Sequence, residues 1–265
     1  MSDEDKVYSS LLYVLFCSGI FIACYIVSHF LIKYPKLGFI STTTAVPVAL
    51  MQAFNPHSAF NVSYFNLIKG LSVFIPMFFY SWCNLYLEKK PENSKMLGSI
   101  FSIILAANIM ETILMANKFI QIIYGMLAAI LAISTITLKW KFEEVLGFNN
   151  TKWTICFFFL LTYLYVFLFP PGSGIFAFFI LLIPYIPFSR IKQRWFAYRI
   201  YSLWCYCIIY FLFNMRKTIL AIPNDINHYM EIIRIPFINN IFIVIIVFFE
   251  ILLIKDCLKR YRQVN

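Results

Sequence analysis

Charge is what this 265-residue chain is shortest of: Asp, Glu, Lys and Arg make up 13% of it, where a soluble domain carries about a quarter. The scarcity leaves no room for a soluble domain, because the longest polar stretches run to only about a dozen residues. Glycine is scarce too, at eight residues. No Walker loop, G-x-S-x-G or H-E-x-x-H is present. The three histidines, His29, His57 and His228, are isolated, and none pairs with a nearby acid at metal-ligand spacing. The seven cysteines contain no C-x-x-C, and six fall in apolar blocks where a thiol behaves as a small hydrophobe. Neither a metal, a cofactor nor a disulfide framework is expected. The start, "MSDEDK", is acidic, whereas the first segment of a cleavable signal peptide is basic, so none is expected.

What the chain has is hydrocarbon. Hydrophobic residues make up 62% of it, in blocks of about 17–25 residues, the length that crosses roughly 30 Å of bilayer core. Backbone groups in lipid must be satisfied within the segment, so the blocks are predicted to be helices. The expected fold is all-α, one polytopic transmembrane bundle over 1–265 with the lipid bilayer as its main partner. Nine spans are predicted, at 7–32, 37–54, 64–88, 96–116, 119–138, 153–170, 172–189, 196–215 and 236–254. The second, "LGFISTTTAVPVALMQAF", holds three threonines and Pro47. A re-entrant or interfacial course for it would leave eight crossings.

The net charge of +10 follows from basic loops facing anionic headgroups, and nucleic acid is not an expected partner. Of the 22 Lys and Arg residues, fifteen fall in loops on one side, five on the other, and two, Lys69 and Arg199, inside spans. The bias predicts an outside N-terminus and a cytoplasmic C-terminus; without the second crossing the N-terminus moves inside. The loop Lys139–Lys152, "KWKFEEVLGFNNTK", reads as a short amphipathic surface segment, and "NDINHYMEII" as a short helix on the membrane capped by Asn224 or Asp225. Trp82, Trp140, Trp153, Trp195 and Trp204 fall mostly near span ends and read as an interfacial belt. Gly125, Ala128, Ala129 and Ala132 recur at helical spacing and read as a packing face.

Polar groups within spans mark the candidate site, because ionisable residues in lipid are costly and often functional. Asn108, Glu111 and Thr112 share one face of their span. Lys69 and Glu111 are both about 7–8 Å below the outer surface, and Lys69 is expected to hold Glu111. Arg199, Ser202 and Tyr206 form a second stripe, as a pocket wall or a buried network, and Glu250 is expected level with Arg199 in the inner half. Glu143-Glu144 resembles the paired glutamates of some intramembrane proteases, but the arginine that should follow is absent. A retinal Schiff base needs a lysine deep in a late span, and Lys69 is early and shallow.

"NIMET" (Asn108–Thr112), "WTICFFFLLTYLYVFLFP" (Trp153–Pro170) and "RIYSLWCY" (Arg199–Tyr206) resemble an uncharacterised family of bacterial multi-pass membrane proteins. The resemblance covers about half the chain and departs at Leu164-Tyr165, where the family pattern has Trp-Asn. It implies a bacterial inner membrane and no particular activity. Three functions stay open: binding or passing a small solute or ion between helices, an enzyme acting on a lipid or isoprenoid with Glu111 as acid or base, and an accessory subunit. The first, non-enzymatic, leads. A reporter that is active only outside the cytoplasm, fused after Asn265, should stay silent; activity there would invert the topology.

Overall fold

The computed structural model describes residues 3–53, 64–113, 120–168, 171–186, 192–209 and 223–264; at several helix ends, residues 64–70 among them, only the backbone is described. Among the described residues each predicted span overlaps a helix: α1 (Asp3–Lys33), α2 (Pro35–Ala53), α3 (Tyr64–Tyr86), α4 (Pro91–Ile113), α5 (Ile120–Ser134), α6 (Thr151–Tyr163), α7 (Pro171–Leu182), α8 (Trp195–Cys207) and, after the short α9 (Asn224–Ile233), the long α10 (Pro236–Val264). Among the described residues four stretches are long and apolar enough to cross a bilayer, Ser9–Lys33, Pro91–Thr112, Thr151–Leu168 and Pro236–Lys259; Ile122–Thr137 and Gly174–Tyr185 are apolar but shorter. This is a membrane protein with a helical fold.

Helical conformation survives in the threonine-rich α2 because its hydroxyls are internally satisfied. Ser41, Thr42, Thr43 and Thr44 each donate to a carbonyl three or four residues back. Solvent preference then sorts the helices. Leu11, Leu15, Ile22 and Ile26 of α1 and Val244, Phe248 and Ile251 of α10 are exposed, as lipid-facing side chains are. The eight residues from Trp195 to Ser202 are all buried, so α8 is enclosed on every side. It packs against α1, α3 and α7.

The loop after α5 departs from the expected surface segment. A three-residue 3-10 turn, Thr135–Thr137, leads into strands β1 (Trp140–Phe142) and β2 (Leu146–Phe148), paired antiparallel with Trp140 opposite Phe148. The fold is therefore helical with one hairpin. That hairpin lies inside the end of the bundle: Trp140, Val145, Leu146 and Phe148 are all buried. Trp140 and Phe148 meet edge to face at 4.9 Å between ring centres, and Trp140 meets Phe196 of α8 at 4.8 Å. Phe148 also contacts Trp153 and Trp195, at 5.5 and 5.8 Å. Three of the five tryptophans, Trp140, Trp153 and Trp195, are thus core rather than belt, while Trp82 is exposed. Apolar burial within the protein outcompetes the headgroup region for these rings, because aromatic neighbours supply edge-to-face partners there.

A two-stranded hairpin leaves its outer backbone groups unpaired, and each buried one must find a partner. Side chains supply them. Tyr80 of α3 donates to the Leu146 carbonyl at 2.8 Å, and Asn84 accepts the Leu146 N–H at 2.7 Å. Ser94 of α4 accepts the Phe142 N–H at 3.2 Å, Gln193 donates to the Lys141 carbonyl at 3.0 Å, and Lys89 donates to the Glu144 carbonyl at 2.8 Å. Glu144 is ion-paired with Arg194. Close approach completes the seat: a Cβ on Gly147 would lie 2.0 Å from the Gln193 carbonyl oxygen. Gly147→Ala should therefore cost about 1–3 kcal/mol, read as a lower thermal midpoint of the purified protein. An unchanged midpoint would mean that the hairpin is not seated against Gln193.

Candidate functional site

The enclosed helix α8 carries the first group of polar candidates. Arg199 is 8% exposed, with its guanidinium carbon 5.7 Å from the ring centre of Phe157 on α6, a cation–π arrangement. Ser202, fully buried, donates back to the Arg199 carbonyl at 3.1 Å. Tyr206, one turn further, packs on Phe176 of α7 at 5.6 Å between ring centres. Around the stripe, Tyr198 bonds to His29 of α1 at 2.7 Å, and Tyr201 to Ser81 of α3 at 3.2 Å. These bonds tie α8 to its neighbours. The stripe reads as a network between helices, held by residues on α1, α3, α6 and α7.

Glu250 stands elsewhere. It lies on α10 in the stripe Ile246, Glu250, Leu253, all buried, at the spacing that turns one helix face inward. That helix packs on α6, and Glu250 lies within electrostatic reach of Cys156. Arg199 meets Phe157 on α6, while Glu250 faces the same helix from α10. No ion pair joins Arg199 and Glu250, unlike Lys152 and Asp256, which join α6 to α10 at 2.7 Å. Glu250 is 2% exposed, and its Oε1 has no hydrogen-bond partner.

The third group is at the opposite end of α4. Asn108 donates to the Ile104 carbonyl of its own helix at 3.0 Å, leaving its amide committed locally. Glu111 is half-buried, and Thr112 is buried with its hydroxyl 2.8 Å from that of Tyr124 on α5. Tyr124 stacks on Tyr163 of α6 at 6.2 Å, and the Asn239 side chain of α10 lies close to the Tyr163 hydroxyl. Four helices are thus joined by a ladder of which only Thr112 was expected. The side chain of Lys69 lies outside the described residues, so the Lys69–Glu111 pair does too.

Next to the ladder α6 changes its winding. Leu164–Leu168 has π-helical bonding, which is rare and marks functional positions more often than chance. Arg234, in the turn before α10, donates its Nε–H to the Val166 carbonyl at 2.7 Å. Burial lowers the basicity of that guanidinium from its ordinary value, and neighbouring Glu231 pulls the other way. Tyr124, Tyr163, Asn239 and Arg234 escaped sequence reasoning because tyrosine and asparagine carry no charge to mark them, and Arg234 falls in a loop.

Seven of the eight expected residues thus divide among separate places: the α8 stripe, Glu250 on the α6–α10 seam, and the end of α4. Among the described residues no three His, Cys, Asp or Glu side chains converge as a metal site would need. No family model matches the chain, and no curated protein or solved structure does so either. A double-mutant cycle on Thr112→Val and Tyr124→Phe should give a coupling of about 0.5–1.5 kcal/mol in thermal stability; strict additivity would break the ladder at its first rung.

Proposed function

We infer that the protein is a nine-pass protein of a bacterial inner membrane, N-terminus outside and C-terminus cytoplasmic, that binds or passes a small cation or proton at Glu250. One observation carries the reading: a carboxyl group buried to 2% exposure in a membrane-length helix, with Oε1 unpartnered. An ionised carboxylate without a counter-ion in such surroundings costs several kcal/mol. The group therefore holds a proton or stands beside a bound cation. A leucine at this position would pack the α6 seam with no such cost, so the glutamate is there at the expense of stability. Asn108, Glu111, Thr112 and Lys69 at one end of the bundle and Arg199, Ser202 and Tyr206 on α8 are the further polar groups of the reading.

Flux in proteoliposomes tests it. A pH-sensitive dye inside vesicles should report cation- or proton-driven change well above that of protein-free vesicles. Glu250→Gln should remove the flux while leaving the protein folded, and Glu250→Leu should remove it while raising the thermal midpoint. Undiminished flux in folded Glu250→Gln would overturn the assignment to this residue.

A further inference from the structure

A cavity of about 1080 Å³ lies between α4 and α5, at the end of the bundle that holds the hairpin. It is separate from Glu250 and from the tyrosine ladder. Small side chains make it: Gly98, Ser102 and Ala106 on α4 face Ala129 and Ala132 on α5. The polar atoms of its floor are already committed. Ser102 donates to the Thr135 carbonyl at 3.1 Å, and Thr135 returns the bond to the Ser102 carbonyl at 3.2 Å. Trp140 donates its indole N–H to the Ser102 hydroxyl at 2.8 Å. What remains open to an occupant along the length of the groove is hydrocarbon, rimmed by exposed Ile103, Ile133 and Ile136.

The mouth has the opposite character. Lys95, near the start of α4, and Lys139, just before β1, both line it and both are exposed. Among the described residues neither ammonium forms an ion pair, in contrast to Lys90 with Glu88 and Lys152 with Asp256. From Lys95 to Met110 the groove follows α4 for about 22 Å, more than the depth of one leaflet, about 15 Å of a core of about 30 Å. A cationic mouth at the interface, continued by an apolar channel one leaflet deep, is complementary to one class of bilayer molecule. Basic pockets between membrane helices recognise anionic headgroups in this way. The volume is at the upper end of the range for ligand sites.

We propose that the α4–α5 groove is a binding site for one anionic phospholipid, its phosphate between Lys95 and Lys139 and an acyl chain along Gly98, Ser102, Ala106 and Ala132. Full-length protein in neutral detergent, given equimolar phosphatidylglycerol and phosphatidylcholine of the same chain length, is read by native mass spectrometry. The wild type should retain one phosphatidylglycerol, with about a thirtyfold preference over phosphatidylcholine from two surface lysines. Lys95→Gln with Lys139→Gln should bring the two lipids to parity at an unchanged thermal midpoint, since both residues are exposed. Ala107→Phe, at the exposed rim, should reduce retention of both lipids alike. Added inorganic phosphate should leave the bound lipid in place. Parity in the wild type, a preference that persists in the double variant, displacement by inorganic phosphate alone, or a protein dimer in place of the lipid would each overturn the site.

Discussion

Satisfaction of the hairpin's backbone is the constraint on which one whole end of the bundle depends. Strands of three residues cannot stabilise themselves, so Trp140–Phe142 and Leu146–Phe148 stay paired only because other elements meet their outer edges. Tyr80 and Asn84 come from α3, Ser94 from α4, and Gln193 from the turn before α8. In return the hairpin places Trp140 and Phe148 among Phe101, Phe196, Trp153 and Trp195. Polar bonds set the register, and aromatic burial supplies the driving force. Each fails without the other: rings without bonds would leave buried amides unpaired, and bonds without rings would bury little.

The same division of labour recurs across the molecule. Hydroxyls in α2, α4 and α8 mostly return to carbonyls of their own helix, as Ser41 does to Gly38 and Ser202 to Arg199. Links between helices fall instead to tyrosines, whose long arms reach a neighbour: Tyr80 to the hairpin, Tyr124 to Thr112, Tyr198 to His29, Tyr201 to Ser81. A tyrosine contributes apolar area and one directed bond together. That combination matters where lipid offers helices no hydrophobic reason to associate. Among the described residues several buried polar atoms lack a partner, Ser28 Oγ and Thr162 Oγ1 among them, and Glu250 is the ionisable group in that set.

Hydropathy was sufficient to find the helices, because a run such as Ile238–Ile254 must be helical in lipid whatever it packs against. It could not say which side of a run meets protein. Trp153 and Trp195 sit at span ends as belt residues do, and only their neighbours show them to be core. The hairpin was hidden by Lys139, Lys141, Glu143 and Glu144, which make its window look like a solvated loop. The alternation Lys-Trp-Lys-Phe at 139–142 did carry the period of a strand. Opposite charge and similar depth suggested that Arg199 and Glu250 would pair, but Arg199 meets Phe157 instead. Which neighbour each side chain meets depends on helix order around the bundle, which spacing does not encode.

Enclosure of α8 has a consequence for biogenesis. The helix that fills the centre, with its arginine and its tyrosines, leaves the ribosome after α1, α3, α6 and α7, which pack around it. Those earlier helices must wait in the bilayer without their interior, with Ser81, His29 and Phe157 facing lipid, a neighbouring helix or the insertion machinery. Order of synthesis and order of burial are opposed, so final closure of the bundle is a late, post-insertion event rather than a helix-by-helix accretion.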